Sequence, residues 1–350
     1  MSLPFFAPDF RVKVEGRPLL ARQAKSVSEL VVTLELGTSD HFSLTLVNPY
    51  PDLPWTHGDD AALFKPGVGV TIEMGYVDAL QPMLSGEVTG LTPNFPEDGT
   101  PMLTVDGHSR LHRLDGARRT QGFQDVTDQE IVQTISGQVG LTAQAEATTV
   151  KHRYVMQCNQ TNLEFLRARA QGINFELLVD DRTLIFRKSR AGAAKAVSLK
   201  WGETLRSFRP TVNSLKPVTD VLVRGYDPQT RNPIAGRAGT GAEESIMGSE
   251  SGAKLVGGAF GAKLEVVVDR EPASQADAEQ LAKAVFNQRM MELITGSGAS
   301  VGQPALRAGT VVELDGLGPQ FNGPYYVVRA SHSIGSAGYQ TRFSVKRNAV

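Results

Sequence analysis

The residues best suited to chemistry are two histidines four positions apart, His108 and His112. On one face of a helix this spacing could hold a zinc ion, and a metallopeptidase would place a glutamate directly after the first histidine. Here Ser109 follows His108, and the surrounding pattern predicts a strand that ends in a turn. We therefore interpret both as surface histidines and predict no metal site.

Four other motifs lack residues that their chemistry needs. Gly107-His-Ser109 lacks the second glycine of a nucleophile elbow. In residues 258–263 the lysine does not directly follow a glycine, as it does in a phosphate-binding loop, so a flexible loop is the better interpretation. Asp180-Asp181 could be an acid–base pair, but its place between two strands predicts a turn. Cys158 has no histidine pattern near it beyond His152. We therefore predict no catalytic residue and no cofactor.

Composition sets broad limits on the class of protein. The 350 residues are enough for two or three domains with cores of their own. The 36 basic and 37 acidic residues nearly balance, and without a basic stripe we expect no nucleic-acid partner. The single cysteine excludes an internal disulfide, which indicates a reducing compartment or a fold that needs no covalent staple. Because no secretory signal and no run of about eighteen apolar residues is found, we expect synthesis in the cytoplasm and no membrane span.

One short pattern occurs twice, once near each end of the chain. It reads Phe64-Lys-Pro-Gly67-Val-Gly-Val70 in the first copy and Leu306-Arg-Ala-Gly309-Thr-Val-Val312 in the second. A glycine-flanked run and an alternating strand follow each copy, at 83–88 and 102–105 and again at 322–328 and 341–345. Such a series predicts a small antiparallel β unit. The repeat predicts two similar barrels that present one kind of surface twice; the alternative is two unrelated β-meanders.

The residues between the two copies change to a mixed pattern. Thr127-Asp-Gln-Glu130 and Thr161-Asn-Leu-Glu164 are capping boxes, in which a threonine hydroxyl and a glutamate satisfy free amides at a helix start. Apolar residues at helical spacing follow each box, and Gly140 and Gly172 end the two helices. A hairpin around Asp180-Asp181 comes next. We therefore predict a small α+β domain between the barrels.

A glycine-rich stretch and a long helix follow. Nine of the 35 glycines lie in residues 225–261, which have almost no large apolar side chains. Such a segment cannot bury enough surface to offset its ordering entropy, so we predict a mobile loop over 226–261. Ser274 caps the longest predicted helix, residues 275–293, and Gly296 ends it.

The predicted fold class is mainly β with an α+β insertion. Two similar antiparallel β-barrel domains occupy residues 1–110 and 201–350, and the α+β domain occupies residues 111–200 between them. The long helix is peripheral to the second barrel.

In their order along the chain, these segments resemble the phage late control D family. That family comprises the baseplate hub proteins of contractile tails and injection systems, and is related in fold to the hub part of valine–glycine-repeat spike proteins. The resemblance covers most of the chain and rests on residues 4–14, 64–76, 125–141, 160–166, 184–186, 221–228, 323–327 and 338–345.

The resemblance implies a structural protein rather than an enzyme. Three chains would close into a homotrimer whose six barrels adapt a hexameric inner tube protein to a three-fold spike, with other baseplate proteins around it. The finished protein would lie in the baseplate of a phage tail, a bacteriocin or an injection system, and the sequence does not distinguish these.

The C-terminal residues are the predicted partner-binding site. Many relatives continue from the last strand into a barrel and a spike, whereas this chain ends at Val350, so we expect a separate spike protein. It would dock at the residues that follow the last strand, which are Lys346, Arg347, Asn348, Ala349 and Val350.

Two other classes of function stay open. The chain could be a cell-wall or carbohydrate-binding tail module, which should expose a row of aromatic side chains, but Trp55 and Trp201 are the only tryptophans. It could also be a peptidoglycan hydrolase, which should show paired acidic residues in a cleft, and we can assign none.

Overall fold

The computed structural model describes residues 7–47, 63–227, 230–270, 272 and 274–350. The described residues are mainly β, as predicted. They form one 13-stranded sheet and three smaller sheets of two, three and three strands. Two similar β-barrel domains share the large sheet, and an α+β domain lies between them in sequence.

The first barrel is formed by the first seven strands. They are β1 (Pro8–Val14), β2 (Arg17–Pro18), β3 (Val27–Glu35), β4 (His41–Val47), β5 (Gly69–Tyr76), β6 (Ala79–Asn94) and β7 (Met102–Ser109), with helix α1 (Ala21–Ser26) before β3. β1 and β2 form a hairpin whose turn is Glu15-Gly16, and both of these residues have the positive φ that a tight hairpin turn requires. Leu103 and Val105 of β7 point into the barrel while Thr104 and Asp106 point out, which is the period-two pattern of a half-buried strand.

The α+β domain follows a short 3-10 helix at Arg110–Leu114. It comprises β8 (Arg119–Thr127), α2 (Asp128–Gln138), β9 (Thr142–Ala145), β10 (Lys151–Gln160), α3 (Asn162–Gly172), β11 (Phe175–Asp180) and β12 (Thr183–Lys188). Both predicted capping boxes are present at the starts of α2 and α3. The domain has a core of its own around Ile131, Leu166 and Phe186, all fully buried.

The second barrel starts earlier than predicted and is interrupted. Its strands are β13 (Lys195–Lys200) and β14 (Leu205–Val212), followed after an insertion by β18 (Ile294–Val301), β19 (Val311–Asp315), β20 (Gly323–Gly335) and β21 (Gly338–Arg347). Because β13 pairs with β19, it belongs by pairing to the second barrel, ahead of the predicted boundary at residue 201.

The insertion within the second barrel is a small body that the sequence did not reveal. It contains β15 (Asp220–Asp227), β16 (Asn232–Gly239), α4 (Gly252–Phe260), β17 (Leu264–Val267) and α5 (Gln275–Met290). Helix α5 begins at the predicted cap, Ser274, but ends at Met290 rather than near 293, and Gly296 lies in β18 instead of ending the helix. The helix packs on β15 and β16 around Val221, Ala282 and Phe286.

Residues 226–261 are not the long loop that their glycine content predicts. The described residues of this range include all of β16 and all of α4, and Ile234, Met247 and Val256 are buried. Glycine serves here for close packing: a Cβ at Gly236 would lie 2.1 Å from the backbone of Ala278 in α5. The small residues therefore let the helix approach the sheet.

The two barrels have the same strand order. In space the first barrel runs β3-β4-β7-β6-β5-β1, and the second runs β14-β18-β21-β20-β19-β13. If each set of six is lettered a to f along the chain, both read b-c-f-e-d-a. One pairing differs, because β13 is parallel to β19 whereas β1 is antiparallel to β5. The predicted repeat is confirmed at the level of topology.

Candidate functional site

The candidate site is the surface that the chain forms twice, together with the junction that fixes the two copies. In the first barrel the turn before β5 is tied to β6 by two backbone hydrogen bonds. The N–H of Gly67 donates to the carbonyl of Val88 (2.8 Å), and the N–H of Val88 donates to the carbonyl of Val68 (2.9 Å). Gly67 has a φ of 90°, which favours glycine.

The second barrel reproduces this turn atom for atom. The N–H of Gly309 donates to the carbonyl of Val327 (2.9 Å), and the N–H of Val327 donates to the carbonyl of Thr310 (2.9 Å). Gly309 also has a positive φ, 78°. Phe64 and Leu306, three residues before each glycine, are both buried in their barrels. The repeat seen in the sequence is thus a repeat of backbone geometry.

Two β-bulges also occur at matching places. One extra residue interrupts the pairing of strand e with strand f in each barrel. It is Thr89 in β6, opposite β7, and Val328 in β20, opposite β21. Another interrupts the second strand, Ser28 in β3 and Arg206 in β14. Bulges fix register and re-aim the strand beyond them. These two matched pairs of bulges give a residue-by-residue correspondence between the barrels.

The junction between the barrels is a strand pairing. The second half of β20 leaves β19 and pairs antiparallel with β3, from Arg329 opposite Glu35 to Ile334 opposite Leu30. In this pairing the hydroxyls of Thr33, which is buried, and Ser331 are 3.0 Å apart. The tip of the β20–β21 hairpin, with Ile334 and Tyr339, packs into the core of the first barrel. One barrel therefore closes part of the other.

His332 lies at the centre of this junction and is fully buried. Its Nε2 is 3.0 Å from the carbonyl oxygen of Leu306, and its Nδ1 is within 3.1 Å of the hydroxyls of Tyr339 and Thr341. An imidazole that donates from Nε2 and accepts at Nδ1 satisfies these partners in its neutral form. Burial lowers the pKa of His332 to about 3, and nearby Arg307 adds to the effect.

Arg307 ties the repeated turn of the second barrel to the first barrel. Its guanidinium donates to the carbonyls of Pro82 (2.8 Å) and Met83 (3.0 Å) on β6. Asp40, in the turn after β3, faces the same region. Although Asp40 as a residue is half-buried, its carboxyl lies deep in the turn, and this burial raises its pKa to about 7.

A polar cluster around Glu87 includes His112 and Asp181, two of the residues that the sequence analysis considered for chemistry. It is buried on β6 and accepts hydrogen bonds from Arg110 Nε (3.1 Å) and Arg113 Nε (3.1 Å), with His112 Nε2 3.0 Å away. Burial alone would raise the pKa of Glu87, but the hydrogen bonds from Arg113 and His112 outweigh it and lower the pKa. Arg110 also pairs with Asp181 of the α+β domain. The cluster fastens that domain to the first barrel.

The remaining chemistry candidates do not converge. His108 lies on β7 and His112 in the 3-10 helix, with ring centroids 6.4 Å apart, and Thr89 is the hydroxyl partner of His108 (2.8 Å). Cys158 is exposed on β10. Asp181 occupies the β11–β12 turn with a φ of 48°, as the turn interpretation predicts.

The 258–263 segment is the end of α4 and its glycine cap rather than a loop. Gly261 is the cap, and the ammonium of Lys263 donates to the carbonyls of Leu215 and Pro217. Within the described ranges there is no group of three or more potential metal ligands and no helix long and apolar enough to span a membrane.

Sequence reasoning missed a buried polar network inside the α+β domain. Asp128 at the start of α2 accepts from Arg169 Nε (2.6 Å) and lies 3.2 Å from His152 Nε2. Burial would raise the pKa of Asp128, yet the hydrogen bonds from His152 and Arg169 lower it. The network joins α2, β10 and α3. Only the long-range pairing of β8 with β10 brings the three together, so no local motif signals them.

The predicted docking residues are mostly buried within the chain. Arg347 donates to the carbonyls of Met247 (2.8 Å) and Asn322 (2.9 Å), and its guanidinium lies 5.1 Å from the ring centre of Tyr325. Asn348 and Ala349 are buried as well. Lys346 forms an ion pair with Glu292 (3.3 Å). The charge of Arg347 is therefore not presented at the surface, because it is used to hold the 245–252 segment.

Several solved structures share this fold. The 43 kDa tail protein of prophage MuSo2 from Shewanella oneidensis has a TM-score of 0.71 and 14% identity, over 97% of this chain and 98% of that one. The tail protein of Neisseria meningitidis MC58 has a TM-score of 0.69 and 11% identity, over 98% and 97%. A type VI secretion system component of Escherichia coli, described as similar to the T4 tail proteins gp27 and gp5, has a TM-score of 0.60 and 13% identity, over 95% and 76%. At these identities the likeness concerns the fold alone.

The sequence also matches a family model, described as the Alg8 N-terminal domain, over residues 8–336. The chain belongs to this family. No curated protein sequence matches it.

Proposed function

We propose that the chain is the structural hub of a contractile tail or contractile injection system baseplate, of the late control D type. Three copies would close into a ring of six barrels. The observation that carries this proposal is the duplicated barrel: the strand order, the glycine turn and two β-bulges recur in both halves. Repeated geometry of this detail is what a chain needs if it presents the same surface twice.

The proposal has a simple physical basis. A hexameric tube offers the same contact every sixty degrees, and a closed ring is how such head-to-tail contacts avoid an open polymer. Two similar barrels in each of three chains supply six such contacts and leave three-fold symmetry for everything that differs between the barrels. The hub would thus join a six-fold inner tube to a three-fold spike.

Rigidity is what this role demands, and the junction supports it. Arg307 of the second barrel donates to the carbonyls of Pro82 and Met83 in the first barrel, and β3 pairs directly with β20, on which His332 is fully buried. The α+β domain braces both barrels: Asp181 meets Arg110 on one side, and Arg187 donates to the carbonyl of Gly309 (3.3 Å) on the other. A ring that carries load needs this kind of fixed angle.

The partners and domain ranges belong to the same proposal. The inner tube would stack on the six repeated barrel surfaces, and a spike protein would dock on the opposite side near Lys346 and Val350, the two partly exposed residues of the predicted docking site. Packing repeated around the axis would supply most of the affinity, since exposed ion pairs contribute only about 0–1 kcal/mol each. We propose that the first barrel spans residues 1–110, the α+β domain residues 111–194 and the second barrel residues 195–350, since β13 pairs with β19.

We propose a structural role without catalysis. The polar clusters around Glu87 and Asp128 are each occupied by arginine and histidine partners that tie elements together. A hydrolase variant of the proposal would need a carboxylate pair in an open cleft, and a glycan-binding variant a row of exposed aromatic rings.

Light scattering tests the proposal directly. The purified chain alone should have three times the 37.7 kDa chain mass, and its complex with the tube protein should contain three copies of the chain. A particle that stays monomeric or dimeric with the tube protein present would contradict the hub.

A further inference from the structure

Two strand edges in the large sheet lack a partner among the described residues. β14 pairs with β18 on one side, and no described strand pairs with its other edge. Residues 90–94 of β6 pair with β7, but their other edge extends beyond the pairing with β5. Unpaired edges are surfaces that proteins normally protect or use.

The repeat shows what these two edges correspond to. Matching the bulges aligns β6 with β20 and β14 with β3. Residues 90–94 of β6 then correspond to residues 329–333 of β20, and residues 208–213 in and after β14 correspond to residues 30–35 of β3. Residues 329–333 of β20 and residues 30–35 of β3 are the two edges that pair with each other at the junction. The chain therefore contains this pair of edges twice. The copy in β20 and β3 is paired, and the copy in β6 and β14 has no partner among the described residues.

We infer that β6 of one copy of this chain pairs antiparallel with β14 of the next copy, in the register of the β20–β3 junction. The inference rests on the proposed function and assigns its trimer interface to residues. Strand e of each barrel would pair with strand b of the next barrel around the ring. Within a chain this pair is β20 with β3, and between chains it is β6 with β14. Three chains then close the ring.

Three of the six side-chain pairs that would meet keep the chemistry of the junction. Thr92 would face Thr211 of the next copy, where Ser331 faces Thr33 with their hydroxyls 3.0 Å apart. Two further pairs stay apolar. Leu91 with Val212 replaces Ala330 with Leu34, and Phe95 with Phe208 replaces Ile334 with Leu30.

The exposure of these apolar residues supports the inference. Phe95 is 67% exposed and Val212 is 40% exposed in the single chain. Ile334, which corresponds to Phe95, is buried in the core of the neighbouring barrel. Phe95 is therefore a core residue whose core lies in another chain.

Prolines remove the backbone hydrogen bonds of one residue pair in the proposed strand pairing. The bond from Leu36 N–H to the carbonyl of Val328 sets the phase of the junction, so that Val32 and His332 form a hydrogen-bonded pair. Their counterparts are Pro210 and Pro93, and neither has an N–H to donate. The rungs on either side would carry the hydrogen bonds.

A disulfide across Thr92 and Thr211 tests the inference. Both belong to a non-hydrogen-bonded pair, in which Cα atoms lie about 4.5 Å apart, so a bridge fits. In a Cys158→Ser background, Thr92→Cys combined with Thr211→Cys should give a covalent trimer on oxidation that reductant dissolves. Thr104→Cys with Thr211→Cys is the matched control, because Thr104 is one strand further from the edge. Thr33→Cys with Ser331→Cys should form a bridge within each chain.

The outcomes separate the interface from the hub. A covalent closed trimer supports both. An open ladder of linked chains supports the edge pairing and overturns the trimeric ring. A trimeric mass by light scattering without a 92–211 bridge, while the 33–331 bridge forms, overturns the edge pairing and leaves the hub. A chain that stays monomeric throughout overturns both.

A second variant avoids cysteine chemistry. Phe95→Ser should weaken trimer association about tenfold or more, as loss of an apolar anchor does. Phe260→Ser is its control, because Phe260 is equally exposed, at 68%, but lies at the end of α4. Equal association of the two variants would contradict the inference.

Discussion

The junction between the barrels contains two groups whose responses to pH should oppose each other. In the folded chain the pKa of His332 is about 3 and that of Asp40 is about 7, against ordinary values of 6.5 and 3.8. Between pH 6.5 and pH 3 the unfolded chain protonates His332 and the folded chain does not, so stability falls as the pH falls. Between pH 3.8 and pH 7 the folded chain keeps a proton on Asp40 that the unfolded chain has lost, so stability falls as the pH rises.

The size of each effect follows from these values. One pH unit is worth about 1.4 kcal/mol per group within its window. From pH 7 to pH 4.5, His332 should remove on the order of 3 kcal/mol of unfolding free energy, and Asp40 should add a similar amount. In the unmodified chain the two contributions nearly cancel.

Two variants should separate the contributions of His332 and Asp40 to the pH dependence of the unfolding free energy. His332→Gln keeps a neutral donor and acceptor, and Asp40→Asn keeps the acceptor for the Glu35 N–H. Relative to the unmodified chain at each pH, His332→Gln should gain about 3 kcal/mol on going from pH 7 to pH 4.5, and Asp40→Asn should lose about 3 kcal/mol. Urea unfolding followed by circular dichroism measures the differences. If both variants follow the unmodified chain within about 0.5 kcal/mol, or change in the same direction, the account of the junction is wrong.

Three further predictions concern single contacts. Arg307→Met leaves the carbonyls of Pro82 and Met83 without a donor, so it should lower stability by about 2–4 kcal/mol and speed amide exchange in β3 and β20 but not in β8 and β10; unchanged exchange would contradict the bridging role. Gly67→Ala and Gly309→Ala should each cost about 1–2 kcal/mol from backbone strain, because both glycines have a positive φ; an unchanged urea midpoint for either variant would refute this. Arg347→Met should destabilise the fold by about 2–4 kcal/mol because two carbonyls lose a charged donor, while Lys346→Met should change it by under about 1 kcal/mol; equal effects on melting would show that Arg347 is not buried as described.

The elements with strong local signals were predictable from sequence. The capping boxes at Thr127 and Thr161 fix helix starts by contacts within four residues, and the glycines of the repeated turn mark a backbone that other residues rarely adopt. Fold class and repeat follow from such signals.

What the sequence could not provide depends on long-range pairing. The body of β15, β16 and α5 is packed through small residues such as Gly236, which read locally as a loop. His332 and Arg307 are single residues with no motif around them, and their roles appear only when β20 lies beside β3. Arg347 looks like a surface charge at the end of a strand, yet the 245–252 segment folds over it.

The most direct test of the central claim is an end-on view of the assembled particle by electron microscopy. Averages of the purified assembly should show six similar lobes at the radius of the barrels, with three-fold features outside them from the α+β domains and the inserted bodies around α5. A ring with three lobes only, or a particle without rotational symmetry, would contradict the account.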